Sequence, residues 1–210
     1  MFADMHPELL IKIKVIFPQC IAALLFSILY IFVYIKLRNV NYLYREGLKN
    51  FSIKMLLCVC SNFFLIAAAP FSDSIRYQKL LTFLFCVTEN IDLIVQKIPT
   101  EILVFETLLI FLNINFADRW IHILTCFCSA ALWLIGREKT GINAYDILLI
   151  AILCVQIGDL QKILIFDSII LMFWGGAGVI LRSFYKRKPD FRIPLAPVII
   201  SALAVIKLLP

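Results

Sequence analysis

The run Phe17-Pro18-Gln19-Cys20-Ile21-Ala22-Ala23-Leu24-Leu25-Phe26-Ser27-Ile28-Leu29-Tyr30-Ile31-Phe32-Val33-Tyr34-Ile35 contains no Asp, Glu, Lys or Arg, and Lys14 and Lys36 stand on either side of it. A helix of this length extends about 28 Å, close to the ~30 Å hydrocarbon core of a bilayer. The run is therefore read as a membrane span. The rest of the chain has the same character. Of its 210 residues 62% are hydrophobic and 16% charged, and the mean hydropathy is +0.95. Average globular chains are about 45–50% apolar and about 25% charged. A water-soluble chain of this size lacks the surface for so many apolar groups, and seven glycines with eight prolines are too few for low complexity. Residues 1–16 carry Asp4 and Glu8 and no basic leader, and no small-residue cleavage pattern follows the first apolar run, so the first span is expected to be retained.

Further apolar runs bounded by charge, Pro or Gly lie at 53–70, 79–91, 101–116, 119–135, 145–158, 162–181 and 193–209. The expectation is an all-α, polytopic integral membrane protein with about eight transmembrane helices, forming a single membrane domain over 1–210. The net charge of +6 is assigned to loop asymmetry rather than to nucleic acid. Odd-numbered loops hold Lys36, Arg38, Arg45, Lys49, Lys54, Lys97, Arg137, Lys139, Arg182, Lys186, Arg187, Lys188 and Arg192. The other side holds Lys12, Lys14, Arg76, Lys79, Arg119, Lys162 and Lys207. This imbalance predicts cytoplasmic odd loops and both termini outside. The cluster Lys186 to Lys188 is read as a cytoplasmic anchor, with lipid head groups as the alternative contact.

Seven cysteines, Cys20, Cys58, Cys60, Cys86, Cys126, Cys128 and Cys154, lie in or beside apolar runs, and their odd number argues against a disulfide framework. They are expected to be buried small apolar residues. The C-x-C pairs put neighbours about 200° apart on a helix, which does not direct two thiolates at one metal. No metal or cofactor is expected. His6 and His122 lack ligand spacing and are read as a tail residue and a packing residue. Trp120, Trp133 and Trp174 suit interfacial belts, and Gly175, Gly176 and Gly178 suit close helix packing.

Acids in or beside a span are costly to bury and therefore mark candidate sites. These are Glu89, Asp92, Glu106, Asp146, Asp159 and Asp167. On the predicted topology Asp92 and Asp146 fall at cytoplasmic ends of different spans, whereas Asp159 falls on the opposite side. Two carboxyls within hydrogen-bond reach cannot both ionise, so one can activate water while the other polarises a carbonyl. Asp92 and Asp146 meet the requirement of equal depth on separate spans.

Three segments carry a family resemblance. Asp92-Leu93-Ile94-Val95-Gln96-Lys97-Ile98-Pro99 resembles the D-L-x-x-x-x-I-P segment of type IV prepilin peptidases, membrane aspartic proteases with a GxGD signature. Gly141-Ile142-Asn143-Ala144-Tyr145-Asp146, followed by Leu153-Cys154 and Gly158, is similar to their Gly-rich turn ending in Asp. Arg187, Lys188 and Arg192 before Ile193-Pro194-Leu195-Ala196-Pro197 resemble their basic loop and last span. The similarity covers about 84–205. Asn143 and Tyr145 stand where the family has Gly, Leu148 stands where a Lys follows the Asp by two, and Thr100 replaces Asn or Asp after the Ile-Pro.

The resemblance implies an aspartic endopeptidase of a prokaryotic cytoplasmic membrane, cutting the leader of a pilin-like precursor protein at the cytoplasmic face. Asp92 and Asp146 are the implied catalytic pair. Glu89, Pro99, Glu106 and Pro194 are candidates for lining the substrate site. Gly158-Asp159-Leu160-Gln161-Lys162 keeps Asp159 open as the second acid. The cysteine-rich cytoplasmic insertion of larger family members is missing, so methyl transfer is not implied. A degenerate subunit that binds or scaffolds pilin-like proteins is the second reading, and a small transporter using Glu89, Asp159 or Asp167 is a third. Taken alone, Asp92 also suits a helix cap and Ile98-Pro99 a helix start.

Overall fold

The computed structural model describes residues 7–38, 51–68, 75–95, 98–112, 120–140, 142–184 and 194–208. These form eight helices, and no strand occurs among them. They are α1 (Pro7–Arg38), α2 (Phe51–Ala68), α3 (Ile75–Val95), α4 (Thr100–Leu112), α5 (Trp120–Thr140), α6 (Ala144–Ile157), α7 (Leu160–Phe184) and α8 (Ala196–Leu208). The eight apolar runs thus correspond to eight helices, with shifted ends. The third run, expected at 79–91, is a helix of 21 residues, because Tyr77 and Gln78 before it and Asp92 after it remain helical. The first helix continues through Pro18 back to Pro7. The last begins at Ala196 rather than 193.

Helices α1, α2 and α3 pack on one another, and Phe26 of α1 meets Phe83 of α3 edge-on with ring centroids 5.5 Å apart. Helix α6 packs on α4, α5 and α7. Helix α8 lies between the two groups, touching α2 and α3 on one side and α6 and α7 on the other, while α4 also bridges α3 to α6. Burial follows this order. Every residue from Leu84 to Asp92 of α3 is buried, as are Ala196, Ile199, Ile200, Ala202, Leu203, Ala204 and Ile206 of α8. The alanines of α8 let neighbouring backbones approach without large side chains between them.

The outer helices expose apolar faces. Phe17, Leu25, Leu29 and Phe32 of α1, Ile53 and Leu56 of α2, Phe127 and Leu132 of α5, and Leu164 and Met172 of α7 are all exposed. By length and composition, Ile16–Tyr34 is the segment among the described residues long and apolar enough to cross a membrane alone, with a hydropathy of 2.3. Phe51–Ala67, Cys126–Ile135, Ala144–Ile157 and Ala196–Leu208 are shorter apolar helices.

Several expectations are corrected. Trp133 is buried, not interfacial, while Trp120 is exposed. A Cβ added at Gly175 or Gly176 would meet nothing within 4 Å, so no helix of the described chain packs closely there. Five cysteines are buried, but Cys60 and Cys128 are exposed. Each C-x-C pair therefore divides into an inward and an outward thiol, as a separation of about 200° requires. His6, Gly141 and the basic segment around Lys186 to Arg192 lie outside the described residues.

Candidate functional site

The polar residues of α3 fall in one short stretch, Thr88-Glu89-Asn90-Ile91-Asp92, where successive side chains turn by about 100°. In an enclosed helix those directions lead to different neighbours. Thr88 Oγ1 donates to Glu106 Oε1 of α4 at 2.5 Å. Glu89 Oε1 accepts from Ser61 Oγ of α2. Asn90 Nδ2 donates to Ser27 Oγ of α1 at 3.2 Å. Asp92 Oδ2 accepts from the Ala196 N–H of α8 at 2.9 Å. One turn of α3 is thereby tied to four helices.

The bond at Asp92 follows from the start of α8. Leu195 occupies the N-cap position, where its side chain has no acceptor, and its carbonyl already takes the Ile199 N–H at 3.0 Å. Pro197 has no N–H to satisfy. Asp92 reaches the exposed donor of Ala196 from another helix, supplying a negative group to the positive end of α8. At the same end of α3, Lys54 Nζ of α2 donates to the Ile94 carbonyl at 2.8 Å, which places a cation at a helix C-terminus. The anticipated cap at Asp92 therefore exists, but it serves a helix 104 residues away in sequence.

Asp146 is buried in the first turn of α6, where its Oδ2 accepts from the Asn143 backbone N–H at 3.1 Å. Helices α3 and α6, which carry Asp92 and Asp146, both pack against α8. Asp159 differs from both. It is exposed, and its Oδ1 accepts the Lys162 N–H at 3.0 Å as the N-cap of α7. Gly158 before it adopts φ 66°, the left-handed conformation that ends α6. The intact Gly-Asp of the sequence is thus a stop followed by a start. Asp146 and Asp159 sit at opposite ends of α6, about 20 Å apart along its axis.

Glu89 and Glu106 are fully buried, and Glu89 Oε2 and Glu106 Oε2 have no hydrogen-bond partner among the described residues. Pro99 is buried just before α4, and its carbonyl accepts the Leu103 N–H at 3.4 Å. It is a helix-start residue, one position ahead of N1. Pro194 is half-buried beside the α8 start that Asp92 caps. A second polar site joins α5 and α7: Asp167 accepts from Ser129 Oγ at 2.8 Å and from Trp133 Nε1 at 3.1 Å. Sequence reasoning identified the acids but not their partners Ser61, Thr88, Ser129 and Trp133, nor the pair Asn90 and Ser27. For the hydroxyls the available signal was a lone Ser or Thr inside an apolar run.

Among the described residues no set of three His, Cys, Asp or Glu side chains is arranged for a metal ion. No family model, curated protein or solved structure matches the chain.

Proposed function

We propose that this chain is a polytopic membrane aspartic endopeptidase, similar to the type IV prepilin peptidases, in which Asp92 and Asp146 share a proton and activate a water. The observation that carries the reading is the bond from Ala196 N–H to Asp92. It joins two of the three segments on which the resemblance rests. A buried acid at this position, held by a helix N-terminus, has one carboxylate oxygen fixed and a defined orientation for chemistry. Asp146 would supply the second carboxyl from α6, which packs on the same α8.

A bilayer setting is supported by the apolar exterior of α1, α2, α5 and α7. Short α6 and α8 do not oppose it, because both are enclosed by other helices over most of their surface and need not match the lipid thickness themselves. With eight crossings both termini would lie outside and the basic odd loops in the cytoplasm. Alternating helix directions would then bring the end of α3, the start of α6 and the start of α8 to the same cytoplasmic face. The substrate would be the leader of a pilin-like precursor, whose apolar helix lies in the membrane beside the site.

Hydrolysis would begin with one ionised Asp taking a proton from water as the oxygen attacks the scissile carbonyl. The protonated partner would donate to the carbonyl oxygen; as the C–N bond breaks, the first Asp would pass the proton it took from water to the leaving nitrogen while the partner takes its own proton back from a hydroxyl of the tetrahedral intermediate. A non-catalytic pilin-binding subunit is favoured by one observation, the engagement of Asp146 Oδ2 with its own helix start. Co-expression with pilin precursors separates the two, with leader removal read by mass. Cleavage by wild type that disappears in Asp92→Asn and Asp146→Asn and persists in Asp159→Asn supports the peptidase. Undiminished cleavage in either of the first two variants removes the proposed pair. Binding of the precursor without cleavage by the wild type selects the scaffold.

A further inference from the structure

We infer that Cys126 and Cys154 are a redox-active pair, a site at which hydrogen peroxide converts two buried thiols into a disulfide joining α5 to α6. The inference is independent of the peptidase reading.

Cys126 lies on α5 and Cys154 on α6, and these two helices pack on each other. Both residues are reduced thiols. Their side chains are within hydrogen-bond reach of each other across the helix contact. Cys154 also directs its S–H to Ser129 Oγ at 3.9 Å, and Ser129 donates onward to Asp167 Oδ2 at 2.8 Å. Ser129 stands one turn along α5 from Cys126, on the same helix face. Two sulfurs, a hydroxyl and a carboxyl from three helices thus form one polar chain inside an apolar interior. A cysteine that serves packing alone needs neither a second thiol in contact nor a route to a carboxyl. One such pair is compatible with an odd number of cysteines, which argues only against a framework of several disulfides.

The thiolate is the nucleophilic form of cysteine, and the chain gives the Cys154 proton a place to go, through Ser129 to Asp167. With exposures of 3% and 0%, Cys126 and Cys154 are closed to bulky reagents such as glutathione disulfide, which leaves a small uncharged oxidant close to water in size. Hydrogen peroxide has that character. The Cys154 thiolate attacks one peroxide oxygen, the O–O bond breaks, and the departing hydroxide recovers the proton from Asp167 and leaves as water. Cys154 is then a sulfenic acid. The Cys126 sulfur attacks the Cys154 sulfur, the S–O bond breaks as the S–S bond forms, and the hydroxyl leaves with the Cys126 proton as a second water. The two sulfurs together lose two electrons, and one peroxide accepts both.

The purified full chain in lipid nanodiscs is treated with N-ethylmaleimide while folded, to block exposed Cys60 and Cys128, and then with hydrogen peroxide. Denaturation, alkylation of the remaining thiols and peptide mass mapping follow. The peptides carrying Cys126 and Cys154 should be joined, and dithiothreitol should separate them. Ser129→Ala should slow the joining by about tenfold or more at an unchanged unfolding midpoint, and Ser129→Thr, which restores the hydroxyl, should recover the rate. In Cys126→Ser the reaction should stop at a sulfenic acid on Cys154, captured by dimedone. If Cys126 and Cys154 of the wild type both remain alkylatable after peroxide, or if the disulfide maps to another pair, the inference is overturned. An unchanged rate in Ser129→Ala overturns the proton route.

Discussion

Helices α3 and α7 have similar lengths, 21 and 25 residues, and both carry acids within apolar sequence. Their polar groups are arranged differently. On α3 they surround the helix, and Thr88, Glu89, Asn90 and Asp92 each bond to a different neighbour. On α7 the buried residues Ile163, Phe166 and Ile170 form one stripe, and Asp167 turns beside it to two partners that both lie on α5. The opposite side carries exposed Leu164, Met172 and Phe173. A helix enclosed by others can place a polar group in any direction because each direction offers a donor or acceptor. A helix with an open apolar side has one direction in which a carboxyl can be satisfied.

This contrast is most exposed to failure at Asp92. The Asp92→Asn variant keeps the shape of the side chain but loses its charge, and leader cleavage should fall by about 10²-fold or more. Quantifying processed pilin by mass spectrometry tests this. On α7, Trp133→Phe removes the indole donor to Asp167 while keeping most of the ring. Unfolding in denaturant should show a loss of about 1–2 kcal/mol, the worth of a hydrogen bond to a half-buried carboxyl, with cleavage retained. A large loss of cleavage would mean that the α5–α7 acid also belongs to the functional site.

A smaller effect is expected at the turn between α6 and α7. Asp159→Ala removes an N-cap and should destabilise by about 1 kcal/mol without reducing cleavage. Abolished cleavage there would move the proposed second acid from Asp146 to Asp159. The smallest effect belongs to the open side of α7. Leu164→Ala should change stability by less than about 0.5 kcal/mol, and a larger loss in the same denaturation series would show that this face is covered in the folded state.

The order of helices was readable from the apolar runs because each break carries charge, Pro or Gly, and helix formation within a run needs no distant partner. Their ends were less readable. Tyr77 and Gln78 look like loop residues by polarity, yet they extend α3, since a helix already formed adds a further turn at little cost. Among the acids, Glu89, Asp92, Glu106 and Asp146 stood out by their setting, and all four are buried. Asp159 resembled a signature residue because Gly-Asp also suits the end of one helix and the start of the next. Trp133 was misread for a related reason: an indole near a span end suits the interface equally well until its N–H finds Asp167.

Hydropathy and its interruptions were sufficient for an all-helical chain and for a short set of buried acids, because these depend on local composition along one helix. The tertiary structure decided which neighbour each acid meets. Thr88, Glu89, Asn90 and Asp92 differ by fixed angles on α3, but only the arrangement of α1, α2, α4 and α8 around that helix turns the angles into partners. The cap on α8 is the clearest instance: the backbone donor at Ala196 and the acceptor at Asp92 are separated by 104 residues, so no local pattern encodes their bond.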